Sequence, residues 1–306
     1  MMRIPTNDFD LDSTLDCGQV FRWQHSGEWW TGVVLGHIVR ARQDGCDLIV
    51  DTGLDRDSIV RYFRLDDDMP GIYGRINTDP VMDNLIRRFR GLRLVRQQPW
   101  ECLISYMASS CKSIPNIKDS ISNLCRQYGD DLGRDFSFPT AEVLAQTSES
   151  RLRETKLGFR SANILEVARK VDRGELDLGA PFELEYREAR ELLMEVRGIG
   201  PKIADCVLLF AYDKLEAFPV DTHILSVMNE HYGRFLVGPK SRQSGIIGEF
   251  ARGYFGQYAG YAQQYLYYSR ISGDNPLTHS VDCKIIKETR SIIKSTRLPD
   301  RITDRS

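Results

Sequence analysis

Long apolar runs are missing from this 306-residue chain. No stretch of about 18 apolar residues occurs, which argues against a membrane-spanning helix and a membrane partner. The opening residues, Met1-Met-Arg-Ile-Pro-Thr-Asn-Asp8, hold no apolar signal core, so an intracellular location (cytoplasm, nucleoid or nucleus) is the expectation. Paired cysteines are missing too. The seven cysteines stand at 17, 46, 102, 111, 125, 206 and 283, an odd number with no C-x-x-C spacing, which suggests neither a disulfide framework nor a zinc site. There is no excess of positive charge: a formal net charge of −2 counts against a generic polyanion binder. Repeats and low-complexity segments are also absent. What is present is an ordinary globular composition, 42% apolar and 27% charged, long enough for one large or two to three modest domains.

The basic residues are uneven. Arg87, Arg88, Arg90, Arg93 and Arg96 form one cluster, and Arg151, Arg153, Lys156 and Arg160 a second. Each reads equally as a phosphate-binding face or as a solvated helix face.

Up to about residue 80 the chain reads as strands. Val20-Phe-Arg-Trp23, Trp29-Trp-Thr-Gly-Val-Val-Leu35, His37-Ile-Val-Arg-Ala-Arg42 and Cys46-Asp-Leu-Ile-Val50 are β-branched or aromatic runs. Ser26-Gly27, Gly36 and Asp44-Gly45 separate them with hairpin chemistry, which predicts an antiparallel sheet. Beyond Asp79 the apolar spacing turns helical, as at Val81, Leu85, Ile86 and Phe89, and at Ile117, Ile121, Leu124 and Tyr128. Strands followed by helices predict an α+β fold: a sheet domain over 1–95, a helical region over 96–295 and a frayed tail over 296–306.

One stretch carries most of the chemistry. Leu192-Leu-Met-Glu-Val-Arg-Gly198-Ile-Gly200-Pro-Lys202-Ile-Ala-Asp-Cys206 reads as a helix, a two-glycine turn, and a second helix opened by Pro201. Glycines there let backbone N–H groups approach a phosphate. Lys202 lies in the first helical turn, where the macrodipole disfavours an ammonium and desolvation would favour the free amine as a nucleophile. Asp221, before Thr222-His223, fits an N-cap and stays available as a carboxylate beside a cationic sugar centre. Taken alone, Lys202 reads as a surface lysine on a phosphate, Asp221 as a cap, and Cys206 as a buried structural cysteine.

Together, these residues are similar to the 8-oxoguanine DNA glycosylase/AP lyase family of the helix-hairpin-helix superfamily. Beyond the hairpin and Pro219-Val-Asp221-Thr-His223, Cys17-Gly18-Gln19-Val20-Phe21-Arg22-Trp23 resembles its N-terminal recognition motif. Lys156-Leu-Gly158-Phe159-Arg160 resembles its strand-wedging loop, and Tyr258-Ala-Gly-Tyr-Ala262-Gln263-Gln-Tyr-Leu-Tyr267 its base-pocket helix. The resemblance implies base flipping into a pocket. It makes Lys202 the Schiff-base nucleophile and Asp221 its electrostatic partner. It implies that Gly18 accepts from N7–H of the oxidised base, that Gln263 reads the Watson–Crick edge, and that Tyr267 and Cys206 sandwich the ring. A normal guanine offers an N7 lone pair instead, so the carbonyl of Gly18 could select by about 1–3 kcal/mol. Phe159 would wedge into the duplex and Arg160 meet the orphaned base, while Gly198, Gly200 and His223 would contact the DNA backbone. The partner is double-stranded DNA containing oxidised guanine, the protein a monomer. No redox cofactor or catalytic metal is implied, although the hairpin carbonyls leave a structural cation open. After Cys206 only Cys283 follows, so the four-cysteine iron–sulfur loop of some hairpin glycosylases is absent.

One departure stands out. Where the family has consecutive asparagines, this chain reads Ala108-Ser-Ser110-Cys111-Lys112-Ser113-Ile114. Loss of the amide predicts weaker discrimination of the opposite base, with Arg160 as its main reader. Two other readings stay open: a glycosylase of the same fold for another damaged purine, and a non-catalytic hairpin that only holds DNA.

Overall fold

The computed structural model describes residues 1–110 and 112–272; Cys111, Cys283 and the expected tail over 296–306 lie outside the described residues. Strands β1 (Met2–Pro5), β2 (Gln24–Ser26), β3 (Trp29–Val34), β4 (His37–Asp44) and β5 (Asp47–Thr52) form one antiparallel sheet in the order β1-β5-β4-β3-β2. At the β3–β4 turn Leu35 and Gly36 both take left-handed backbone angles, φ 51° and 74°, as a tight two-residue hairpin requires. The inner face, with Trp30, Val39, Ala41, Leu48 and Val50, packs on Leu11, Leu15, Ile59 and Phe63. The outer face carries Trp29, with the Arg40 guanidinium 4.6 Å above its ring.

The structure corrects the strand reading in two places. Val20–Trp23 is irregular, not a strand, and two strands the sequence reading did not give, β1 and β2, complete the five. Tertiary contacts decide the first case. Gln19, almost fully buried, donates to the carbonyls of Thr14 and Arg93 and accepts from Val95 N, so this segment bonds across the fold rather than to a neighbouring strand. Trp23 then lies flat on Gly32, where any Cβ would come within 2.6 Å of the indole. Helices also begin earlier than residue 80, at Leu11–Asp16, Arg56–Tyr62 and Met69–Ile76.

Two apolar cores result. The larger one is built from the helices and takes in Met69–Ile76 and Pro80–Arg88 from the N-terminal part of the chain. Leu94 belongs to the larger core and Val95 to the smaller, so the two meet at this point of the chain. A polar seam joins them. Arg93, 3% exposed, donates to the carbonyls of Asn7, Asp8, Arg64 and Asp67, and Tyr261 Oη donates to Asp67 Oδ2 at 2.5 Å. Arg96 pairs with Asp66, Asp67 and Asp213.

The seam claims part of the first arginine cluster. Arg93 and Arg96 are held as above and Arg90 pairs with Asp8, while Arg87, 78% exposed, pairs with Asp83 one turn away on the surface of its helix. Among the described residues no helix is long and apolar enough to cross a membrane, and the five cysteines are free thiols.

Candidate active site

The hairpin forms because its two glycines do different work. The helix Tyr186–Met194 ends before Gly198, whose φ of +92° suits glycine, and whose missing Cβ would sit 2.6 Å from Asn163 Nδ2. Gly200 has an ordinary extended backbone, faces open space, and caps the helix Pro201–Ala211 without a side-chain bond. The first N–H groups of that helix are therefore unspent by any side-chain cap. Buried Asp205 ties the two helices together, accepting from Tyr186 Oη at 2.8 Å and Arg190 Nε at 2.7 Å.

The second helix delivers Lys202 and Cys206 to one cavity of about 780 Å³. Asp221, His223, Gln263, Tyr267 and Gly18 line the same cavity, from three further parts of the chain. Among the expected catalytic and base-recognition residues, every one lies here. Lys202 Nζ reaches Ser109 Oγ at 3.3 Å and lies 5.2 Å from the centre of the Tyr106 ring. Asp221 caps the helix Thr222–Tyr232, its Oδ1 accepting from Ile224 N at 2.8 Å, which fixes the carboxylate on the cavity wall. Capping and a place in the cavity coexist. The His223 ring meets Tyr267 edge to face at 5.8 Å.

Burial pushes the Cys206 thiol up to about 12, with Lys202 opposing. At neutral pH this sulfur is thus a neutral, polarisable surface rather than a competing nucleophile. Burial, followed by the Asp221 charge, likewise raises the Tyr267 hydroxyl above its usual range, so its ring stays uncharged.

Gln263 sits in the helix Ala259–Ile271 and is 5% exposed, yet its Oε1 has no hydrogen-bond partner. A buried amide oxygen left unmatched costs on the order of 1–3 kcal/mol, and the same side chain lines the cavity that Lys202 and Asp221 share. Gly18, at φ +76°, has its Cα close to Tyr267 and Ile114; a Cβ would come 3.1 Å from each. Its position is fixed by the next glutamine of the same helix: Gln264 Nε2 donates to the Cys17 carbonyl at 2.7 Å.

Phe159, Arg160, Gly198 and Gly200 lie outside the cavity lining. Phe159 is 62% exposed, large for an aromatic side chain, and the Arg160 guanidinium covers its ring at 4.6 Å. Lys156 and Gly158, both at positive φ (66° and 62°), turn the loop that presents them.

Sequence reading did not place Tyr106, Ser109, Gln264 or Lys112 in the cavity. Gln264 was within reach, being adjacent to Gln263 inside a recognised motif, and Ser109 and Lys112 fell in the segment marked only as a departure from the family. Tyr106 announces nothing locally, and Ser109 meets Lys202 across 93 positions.

The N-terminal residues 1–103 match the model of the 8-oxoguanine DNA glycosylase N-terminal domain, and residues 104–235 that of the HhH-GPD superfamily of base excision DNA repair proteins. A probable N-glycosylase/DNA lyase of Methanothermobacter thermautotrophicus is 32% identical, the alignment covering 89% of this chain and 97% of that one. The chain belongs to the 8-oxoguanine DNA glycosylase family. Another relative, the N-glycosylase/DNA lyase OGG1 of Arabidopsis thaliana, is 29% identical over 94% of this chain and 84% of its own. An 8-oxoguanine glycosylase/lyase of Clostridium acetobutylicum, solved with double-stranded DNA containing cytosine opposite 8-oxoguanine, superposes with a TM-score of 0.80. It is 30% identical, and the match covers 88% of this chain and 97% of that chain. The five-stranded sheet followed by helices is the architecture this family shares.

Proposed function

We propose that this protein is a bifunctional DNA glycosylase/AP lyase that removes 8-oxoguanine from double-stranded DNA in base excision repair. The observation that carries this reading is that Lys202, Asp221 and the Gln263 side chain line one cavity. An amine and a carboxylate alone suit several reactions; an amide, which both donates and accepts, adds a group able to read a Watson–Crick edge.

The steps follow from these groups. The damaged nucleotide leaves the stack and enters the cavity. Its ring lies between Tyr267 and Cys206, with Gln263 at the Watson–Crick edge and Gly18 at N7–H. The Lys202 amine attacks C1′, and the glycosidic bond breaks with its electron pair leaving on the base. Asp221 stabilises the positive charge that develops on the sugar. Loss of a proton from nitrogen and ring opening give the Schiff base. Removal of a C2′ proton then expels the 3′ phosphate by β-elimination, nicking the strand. Lysine and carboxylate supply this chemistry, so the scheme uses no cofactor. Phe159 fills the space left in the duplex, Arg160 meets the orphaned base, and Gly198, Gly200 and His223 hold the backbone phosphates.

Gln263→Leu separates this reading from its rivals. Excision of 8-oxoguanine is expected to fall roughly ten- to hundredfold, while borohydride trapping on a preformed abasic site changes little. Equal loss on both substrates would show that the amide does not read the base. If wild-type protein traps on neither substrate, the non-catalytic reading prevails; trapping with an alkylated purine alone would favour the other glycosylase.

The hairpin gives a second expectation. Gly198→Ala combines a left-handed backbone with the clash on Asn163, a strain of about 1–3 kcal/mol, and should weaken duplex binding about tenfold by fluorescence anisotropy. Gly200→Ala, with open space beyond its Cα, should fold normally. An unchanged Kd for Gly198→Ala would remove the hairpin from the phosphate grip.

A further inference from the structure

Lys202 brings its amine against the end of another helix. The helix Pro99–Ala108 stops at Ser109, whose hydroxyl is the acceptor that Lys202 Nζ reaches at 3.3 Å. That hydroxyl has one proton, and the proton is already committed: Oγ donates to the Tyr106 carbonyl at 2.7 Å. Only lone pairs are therefore turned to the amine. Ser109 accepts an N–H from an ammonium or from a neutral amine alike, so the contact outlasts a change of charge on Lys202. With one N–H held there, the lone pair of the neutral amine stands a tetrahedral angle away. Two further neighbours of the nitrogen give no such direction. The Tyr106 ring, its centre 5.2 Å from Nζ, attracts a cation through its face but fixes no N–H. The Cys206 thiol, kept neutral by burial, is only a weak acceptor.

Ser109 is itself firmly placed. Its backbone N–H donates to the same Tyr106 carbonyl at 3.2 Å, and its own carbonyl accepts from Lys112 N at 3.3 Å. Tyr106 is buried, its ring stacked on Phe210 with centroids 5.6 Å apart, and its Oη donates to the Gln19 carbonyl at 3.1 Å. Phe210 belongs to the helix that carries Lys202, and Gln19 follows Gly18. The acceptor is thus braced both from the nucleophile's own helix and from the Gly18 loop.

We propose that Ser109 is a positioning residue for Lys202, its hydroxyl accepting one N–H of the amine and so aiming the lone pair for attack. This rests on the glycosylase reading, in which that amine attacks C1′. Ser109 acts through the lysine and needs no contact with base or sugar.

Single-turnover kinetics separates aim from affinity. One duplex carries 8-oxoguanine and is read by excision; a second carries a preformed abasic site and is read by borohydride trapping. Both need the amine at the same carbon. Ser109→Ala is expected to lower the rate at saturating protein about five- to tenfold on both duplexes. The half-saturating protein concentration should change less than about twofold and Tm less than about 2 °C. Ser109→Thr keeps the hydroxyl and should return the rate to within about threefold of wild type. Wild-type rates in Ser109→Ala would overturn the proposal. A loss confined to 8-oxoguanine would do the same, by making Ser109 part of base reading. So would a loss that Ser109→Thr leaves unrepaired, or one that comes with weaker binding and a lowered Tm, since either marks a packing residue. Failure of the glycosylase reading shows separately, as wild-type protein that traps on neither duplex.

Discussion

Lys202→Gln is expected to abolish the borohydride-trapped complex with DNA and to slow excision by on the order of 10³-fold or more. The fold should tolerate it. Lys202 Nζ makes one long hydrogen bond, to Ser109 Oγ at 3.3 Å, so its removal costs about 1 kcal/mol at most. Duplex affinity should stay within about threefold of wild type, because the hairpin backbone is untouched. The measurement is a gel-resolved covalent adduct on a duplex with one 8-oxoguanine, read beside anisotropy binding. Adduct surviving in Lys202→Gln would move the nucleophile elsewhere, and Lys112 is the other amine available in that cavity. Loss of binding together with loss of adduct would instead return Lys202 to the phosphate contact that it resembles in isolation.

The largest effect on stability is expected at Asp205, which is not among the residues lining the cavity. Its carboxylate is 4% exposed and is the shared acceptor for Tyr186 Oη and Arg190 Nε, with Arg252 donating to Tyr186 behind it. Asp205→Ala leaves a guanidinium and a phenol facing a void. Breaking a buried pair from one side costs about 3–5 kcal/mol, which for a chain of this size lowers Tm by roughly 6–20 °C. Asp205→Asn keeps an acceptor and should recover part of that loss. Thermal unfolding followed by circular dichroism decides it. A Tm within about 2 °C of wild type for Asp205→Ala would mean that the helices of the hairpin are held by apolar packing alone. Because Lys202 rides on the same helix, a drop in activity above the melting range would be structural in origin, whereas Lys202→Gln loses activity with Tm intact.

Much of the site was legible because its signals are local. Two glycines and Pro201 mark a hairpin whatever surrounds them, and the helix 222–232 was readable at both ends from Asp221 and from its apolar spacing. The chemistry-bearing residues inside motifs followed. Non-local bonds defeated the rest. Val20–Trp23 has the composition of a strand, but Gln19 and Trp23 are claimed by residues dozens of positions away, at Arg93, Val95 and Tyr62. Arg90 and Arg96 look like part of a basic face until Asp8, Asp66, Asp67 and Asp213 are brought beside them by the fold. Lys112 shows the same limit, since its ammonium bonds a carbonyl 44 positions further on.

Gln263 and Gln264 are neighbours on one helix, and the second clasps the loop that carries Gly18. Successive side chains on a helix diverge by a fixed angle set by 3.6 residues per turn. The two ends at which a purine would be judged are therefore mounted on a single stiff rod, like the jaws of a calliper. If the two ends act as proposed, such a gauge refuses an undamaged guanine by misfit at one jaw alone.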